Sequence, residues 1–301
     1  MFNFRIYITL CVVLLSALQI QATDYYVNSA AGNDGNVGTS ADQPFKSIDK
    51  VNSLSLAPGD RVLFAAGQIF TGELRLIGVQ GSPLQHIVID RYPAGGAKFS
   101  IDAKGKPNGV LIQDCSYIIL KHALIEADGY VADQAPPEAM RVGVMIKATA
   151  GKISRHIQID SVEIKNIYFE KKGFVRGANE VKTENGTQKY GWGIRLMTEH
   201  ASAQITEIDI SHCKIRDVDH TGIKITGVVK NIHWVRIYNN DLRNTGGPGI
   251  QMSEVKNVHV HHNSVDRSGS NDDSRKWGRG SGLWTWSASG VLIEHNSFTN
   301  A

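Results

Sequence analysis

The sequence predicts an all-β solenoid of stacked parallel strands. Three observations predict it: six segments that overlay on one another, a glycine ahead of each, and an asparagine that recurs at one bend. The segments begin at Tyr117, His156, Glu207, Trp234, Asn257 and Gly290, and each is apolar at its second, fourth and ninth places. Gly109, Gly143, Gly193, Gly222, Gly249 and Gly282 precede them, each followed by alternating residues, so one coil reads strand, turn, strand, turn, short strand. The anchors Ile208, Val235, Val258 and Val291 are 27, 23 and 33 residues apart, too variable for heptads and too strand-like for helical repeats.

Taken from the N-terminus, residues 6 to 18 are an uncharged apolar run behind Arg5, shorter than the ~20 residues a membrane span requires. This reads as a signal peptide over residues 1–22, hence a secreted protein with no stable membrane insertion. Residues 23–108 read as a cap and first rungs. Phe45, Ile48 and Val51 recur at helical spacing after Pro44, predicting a short capping helix over the first open rung. Residues 109–301 are the coils. Asn240, Asn263 and Asn296 hold the seventh place of their segments, where a side-chain amide can bond its neighbours along the stack, and His212, His262 and His295 form a row just before it. The sequence stops at Ala301 just past a short strand, so further coils are expected beyond it.

The 301 residues are 42% hydrophobic and 20% charged, with 30 Gly and 8 Pro, which excludes a disordered tail, a collagen and a disulfide mini-protein. A net charge of +3 is too small to imply a nucleic-acid partner. Cys115 and Cys213 fall on different coils and in different columns, so no disulfide is expected between them.

The motifs Tyr25-Tyr26-Val27, Gly32-Asn33-Asp34-Gly35, Gln43-Pro44-Phe45-Lys46, Gly59-Asp60-Arg61-Val62-Leu63-Phe64 and Ile87-Val88-Ile89-Asp90-Arg91-Tyr92, followed by the repeats, carry a resemblance. The chain resembles the secreted right-handed parallel β-helix proteins of the pectate-lyase-like superfamily. That resemblance implies the right-handed form of the solenoid and allows calcium as a cofactor, without naming its ligands. It does not choose among lyases, hydrolases, epimerases and binders.

The connections from each ninth-place residue to the next glycine are 18, 29, 7, 7 and 17 residues long, so three long loops leave one edge of the solenoid. They overhang two outward columns on the strands that start at the glycines. One column reads Leu111, Met145, Arg195, Lys224, Gln251 and Trp284; the other reads Gln113, Lys147, Met197, Thr226, Ser253 and Trp286. Adjacent cations beside tryptophans suit an acidic polysaccharide, with Trp284, Trp286, Gln251 and, from the third loop, Arg279 as binding residues. The expected activity is β-elimination on a uronic-acid polymer by a monomer. Lys224 serves as base, Arg195 lowers its pKa and binds the carboxylate, and His220 is next in line. The alternatives are hydrolysis by the paired carboxylates Asp217 and Asp219, or a binding protein without catalysis. Asp272, Asp273, Arg275, Trp277 and Arg279 read either as a ligand clamp or as a solvated loop.

Overall fold

The structure is a computed structural model that describes residues 22–129, 141–175 and 190–301. Residues 1–21 of the expected leader, much of the first two long loops and Asn185-Gly186-Thr187, which has the Asn-X-Thr pattern of a glycosylation acceptor, lie outside the described residues. The chain winds through three parallel sheets, called here A, B and C, of nine, eight and seven strands among the described residues. Each coil contributes one strand to C, then A, then B, in the order read from the repeats.

Alternation sends every second side chain inward, and the parallel register places it on its equivalent in the next coil, about 4.8 Å away. In sheet A, Ile157 pairs with Ile208, Ile208 with Val235, Val235 with Val258, and Val258 with Val291. The first four are fully or almost fully buried, and these aliphatic columns are the core. Columns in sheet B, such as Ile164, Ile215, Leu242 and Val265, close the third side.

The corners use a backbone conformation that the hydrophobic pattern does not display. First-place residues, Tyr117, His156, Glu207, Trp234 and Asn257, all have φ between 51 and 58°. Sixth-place residues, from His122 and Ser161 to His262 and His295, are left-handed as well. Such a residue costs roughly 1 kcal/mol when it carries a side chain; the first-place residues bend the chain within the sheet A strands, and the sixth-place residues turn it from sheet A to sheet B. At the third corner the constraint is close approach: a Cβ on Gly193 would sit 2.4 Å from the Gly222 carbonyl oxygen and 2.6 Å from Ile215.

The asparagine ladder is present. The Asn240 side chain donates to Asn263 Oδ1 at 2.9 Å, and Asn263 donates to Asn296 Oδ1 at 2.9 Å. Asn263 also donates to the carbonyls of Ile237 and His261, all from a buried position. Asn263→Ala removes the side-chain donor to Asn296, Ile237 and His261 and the buried oxygen that accepts from the Asn240 backbone and side-chain amides, so we expect a loss of ~2–3 kcal/mol, read as a lower urea midpoint with an unchanged slope. A loss under ~0.5 kcal/mol would mean that the ladder is incidental.

The capping helix spans Ile48–Asn52, with the Ser47 side chain accepting from the Lys50 amide and Phe45, Ile48 and Val51 buried. Cys115 and Cys213 are free and buried. No helix among the described residues is long and apolar enough to cross a membrane.

Candidate functional site

The two outward columns lie in register on sheet C. Met145 pairs with Arg195, Arg195 with Lys224, Lys224 with Gln251, and Gln251 with Trp284; Met197, Thr226, Ser253 and Trp286 follow alongside. Above them runs a groove of about 890 Å³ lined by Arg195, Lys224, Gln251, Glu254, Arg279, Trp284 and Trp286, with Trp277 on its wall.

The strip is not the open, solvated surface that alternation alone suggests. Arg195 is 5% exposed and Lys224 6%, whereas Trp286 is 63% exposed. The difference comes from residues 267–281, which fold back over the solenoid. The amides of Gly269, Trp277 and Arg279 donate to the carbonyls of Gly247, Asp219 and Gly246. Trp277 stacks on His220 with ring centroids 4.4 Å apart and 12° between planes. Beneath lies Trp192, whose ring meets the Arg195 guanidinium at 4.5 Å and the Lys224 ammonium at 5.6 Å. Trp192 and Glu254 escaped the sequence reading. Trp192 precedes the corner Gly193, a place outside the two columns considered, while Glu254 lies one residue past the strand Ile250–Ser253.

Burial shapes the electrostatics. It pushes the Lys224 ammonium down to about 7, with repulsion from Arg195 as the second cause. Arg195 is lowered to about 10 by the same desolvation, against an opposing pull from Glu199. Lys224 therefore changes charge near neutral pH, while Arg195 stays a cation.

Three of the expected catalytic residues lie elsewhere. Asp219 is fully buried: its carboxylate accepts the Phe169 amide at 3.0 Å and the Gly191 amide, so it caps backbone beneath the sheet. Asp217 points to the outer edge, where the Asn244 side chain donates to it and Lys276 lies 3.6 Å away. The two carboxylates are thus not a pair facing one substrate, because a tight turn uses one for its own amides and turns the other away. His220 is buried among Tyr190, Trp192 and Trp277, with Nδ1 2.8 Å from Thr221 Oγ1, and it does not line the groove.

The charged third loop is tied to the solenoid by ion pairs, with Arg275 and Lys276 buried and Asp272 and Arg279 exposed. Arg275 is held by Asp128 at 2.6 Å and Asp273 at 2.7 Å, and it lies 3.6 Å over the Tyr168 ring. Lys276 pairs with Asp272 at 2.8 Å. Burial favours the neutral form of Asp272, yet hydrogen bonds from Lys276, Ser270 and Asn244 outweigh it and hold this carboxyl well below the usual carboxylate range. So firmly ionised a group is a poor proton donor near neutral pH. These ion pairs anchor the loop, which then delivers Trp277 and Arg279 to the groove.

Among the described residues no group of three or more His, Cys, Asp or Glu is disposed to hold a metal ion.

The family model described as "Right handed beta helix region" matches residues 192–301. A lacto-N-biosidase of Bifidobacterium longum subsp. longum is 24% identical, over 92% of this chain and 22% of its own length. The crystal structure of GH136 lacto-N-biosidase from Eubacterium ramulus aligns with a TM-score of 0.74 at 23% identity, covering 91% of this chain and 55% of that one. A native crystal structure of the same enzyme gives 0.73 at 22%. The chain therefore spans about half the length of the one relative and about a fifth of the other. These relatives are glycoside hydrolases, and they overturn the expectation of a polysaccharide lyase acting by β-elimination. The sequence signals behind that expectation, two cations beside tryptophans, describe how a sugar is held and not how its bond is broken. Three parallel sheets, a matched coil region and two similar crystal structures agree on one architecture: the chain is a right-handed parallel β-helix protein.

Proposed function

We propose that the protein is a glycoside hydrolase that binds its glycan along the groove of sheet C, with Glu254 as a carboxylate acting on the glycosidic bond. The observation that carries this reading is the groove column itself. Two buried cations, the amide of Gln251 and the indole of Trp284 lie in one register, and Glu254 is the one carboxylate among the described residues lining that groove. Indole faces stack on pyranose rings, buried polar groups orient hydroxyls, and a carboxyl group protonates a leaving oxygen or activates water. The resemblance to the lacto-N-biosidases supports hydrolysis as the reaction class.

The test incubates the full-length natural chain with neutral and anionic oligosaccharides and follows reducing ends and product masses. Hydrolysis adds one water across the cleaved bond. Binding without products from any glycan would replace this reading by that of a binding protein.

Side by side, Arg195 and Lys224 suit a glycan with an anionic group beside the cleaved bond. Lys224 is protonated below about 7 and neutral above, so affinity for an anionic glycan should fall about tenfold as pH rises from 6 to 8.5, roughly the loss of one charge-assisted contact. Affinity for a neutral glycan should stay level. Lys224→Met should abolish the slope; an identical slope in that variant would assign the pH dependence to another group.

A further inference from the structure

Sheet A carries a second concavity, of about 700 Å³, on a face separate from the groove. Trp234 lines it. Its side chain is 59% exposed, and its backbone is left-handed, with φ at 56°. The neighbouring coils place Glu207 on one side of this corner and Asn257 on the other, followed by Gly290, residues that meet the same backbone demand with little apolar surface. A tryptophan there carries the left-handed cost without the compensation of core burial, so the fold does not account for it.

The polar groups around the indole are held in place. His156 lies 2.9 Å from Glu207, Arg236 makes two hydrogen bonds of 2.6 Å to Asp209, and His259 lies 2.9 Å from Glu294. Leu292, also exposed, extends the apolar surface two coils further. With one arginine against the two lining carboxylates Glu207 and Asp209, the nearby Glu294 and the three imidazoles of His86, His156 and His259, this face carries no paired cations like the groove's adjacent Arg195 and Lys224. An anionic chain would be repelled from it.

We propose that this face is a second, non-catalytic glycan-binding site for a neutral oligosaccharide, stacked on Trp234 and hydrogen-bonded through the carboxylates and Arg236. Oriented donors and acceptors beside an exposed indole are what a pyranose needs, with a ring face to stack and equatorial hydroxyls at its edge. The proposal does not depend on the hydrolase reading, since a binding face acts whether or not the groove performs chemistry.

The test titrates the full-length natural chain by calorimetry with cellohexaose, xylohexaose, mannohexaose and chitohexaose, and with polygalacturonate as the anionic control. At least one neutral hexaose should bind, and Trp234→Ala should weaken it tenfold or more with an unchanged thermal midpoint. Arg236→Ala, which leaves the corner backbone untouched, should weaken it as well. Trp286→Ala, in the groove, should leave this binding intact. Failure of every neutral hexaose to bind, binding unchanged in both sheet A variants, or binding lost in Trp286→Ala but kept in Trp234→Ala would each overturn the proposal.

Discussion

Replacing Glu254 by glutamine is expected to lower glycan turnover by about 10²–10⁴-fold while leaving glycan affinity within a few-fold of the native value. Glu254 lines the same groove as Lys224 and Gln251, and its backbone amide donates to the Trp286 carbonyl at 3.3 Å. The amide side chain keeps the shape and that backbone contact but can neither release a proton to a leaving oxygen nor accept one from water. A drop in turnover at constant affinity places Glu254 among the reacting groups. Turnover within about threefold of native would move the reacting carboxylate elsewhere and leave Glu254 as a rim residue. Thermal unfolding of the variant should match the native protein, because the side chain is only partly buried.

The largest stability effect is expected at Asp219. Asp219→Ala removes the buried carboxylate that accepts from the Gly191 and Phe169 N–H groups. Each such loss costs roughly 1–3 kcal/mol, so a total of about 3–5 kcal/mol is expected from denaturant unfolding. Asp219→Asn should be milder, since one oxygen still accepts while its amide nitrogen faces a donor. The consequence reaches the groove: Gly191 opens the strand Gly191–Thr198, which carries Trp192 and Arg195. Glycan affinity should therefore fall along with stability in Asp219→Ala. Near-native stability with lost turnover would instead show that this carboxylate reacts with substrate, against its full burial.

Both predictions assign the carboxylates differently from a reading of spacing alone, and the reason is physical. Asp217 and Asp219 are two residues apart in sequence, which in a continuous strand would put them on one face. Between them the strand Lys214–Val218 ends, and Asp217 itself is left-handed, so the backbone rotates one carboxylate inward and the other out. Lys224 and Arg195 were legible as neighbours because parallel register follows from the repeat. Their burial was not, since it depends on a loop whose path is set by Trp277 on His220 and by Arg275 between Asp128 and Asp273. Those contacts join residues up to 147 positions apart, beyond any local pattern.

What the sequence by itself determined is the solenoid: the apolar second and fourth places, the corner glycines, the asparagine ladder, the capping helix and the alignment of Arg195, Lys224, Gln251 and Trp284. All of these but the capping helix, a local helical pattern that occurs once, repeat with the coil, and a repeated local preference stacks on itself without long-range information. Tertiary structure alone decided which charges are desolvated, that Asp219 and His220 support the floor while Glu254 faces the groove, and that Trp234 stands open on another face. Each of these depends on where a non-repeating loop or corner comes to rest against the regular coils. Only the folded chain holds that information, because burial and charge are properties of what lies nearby in space.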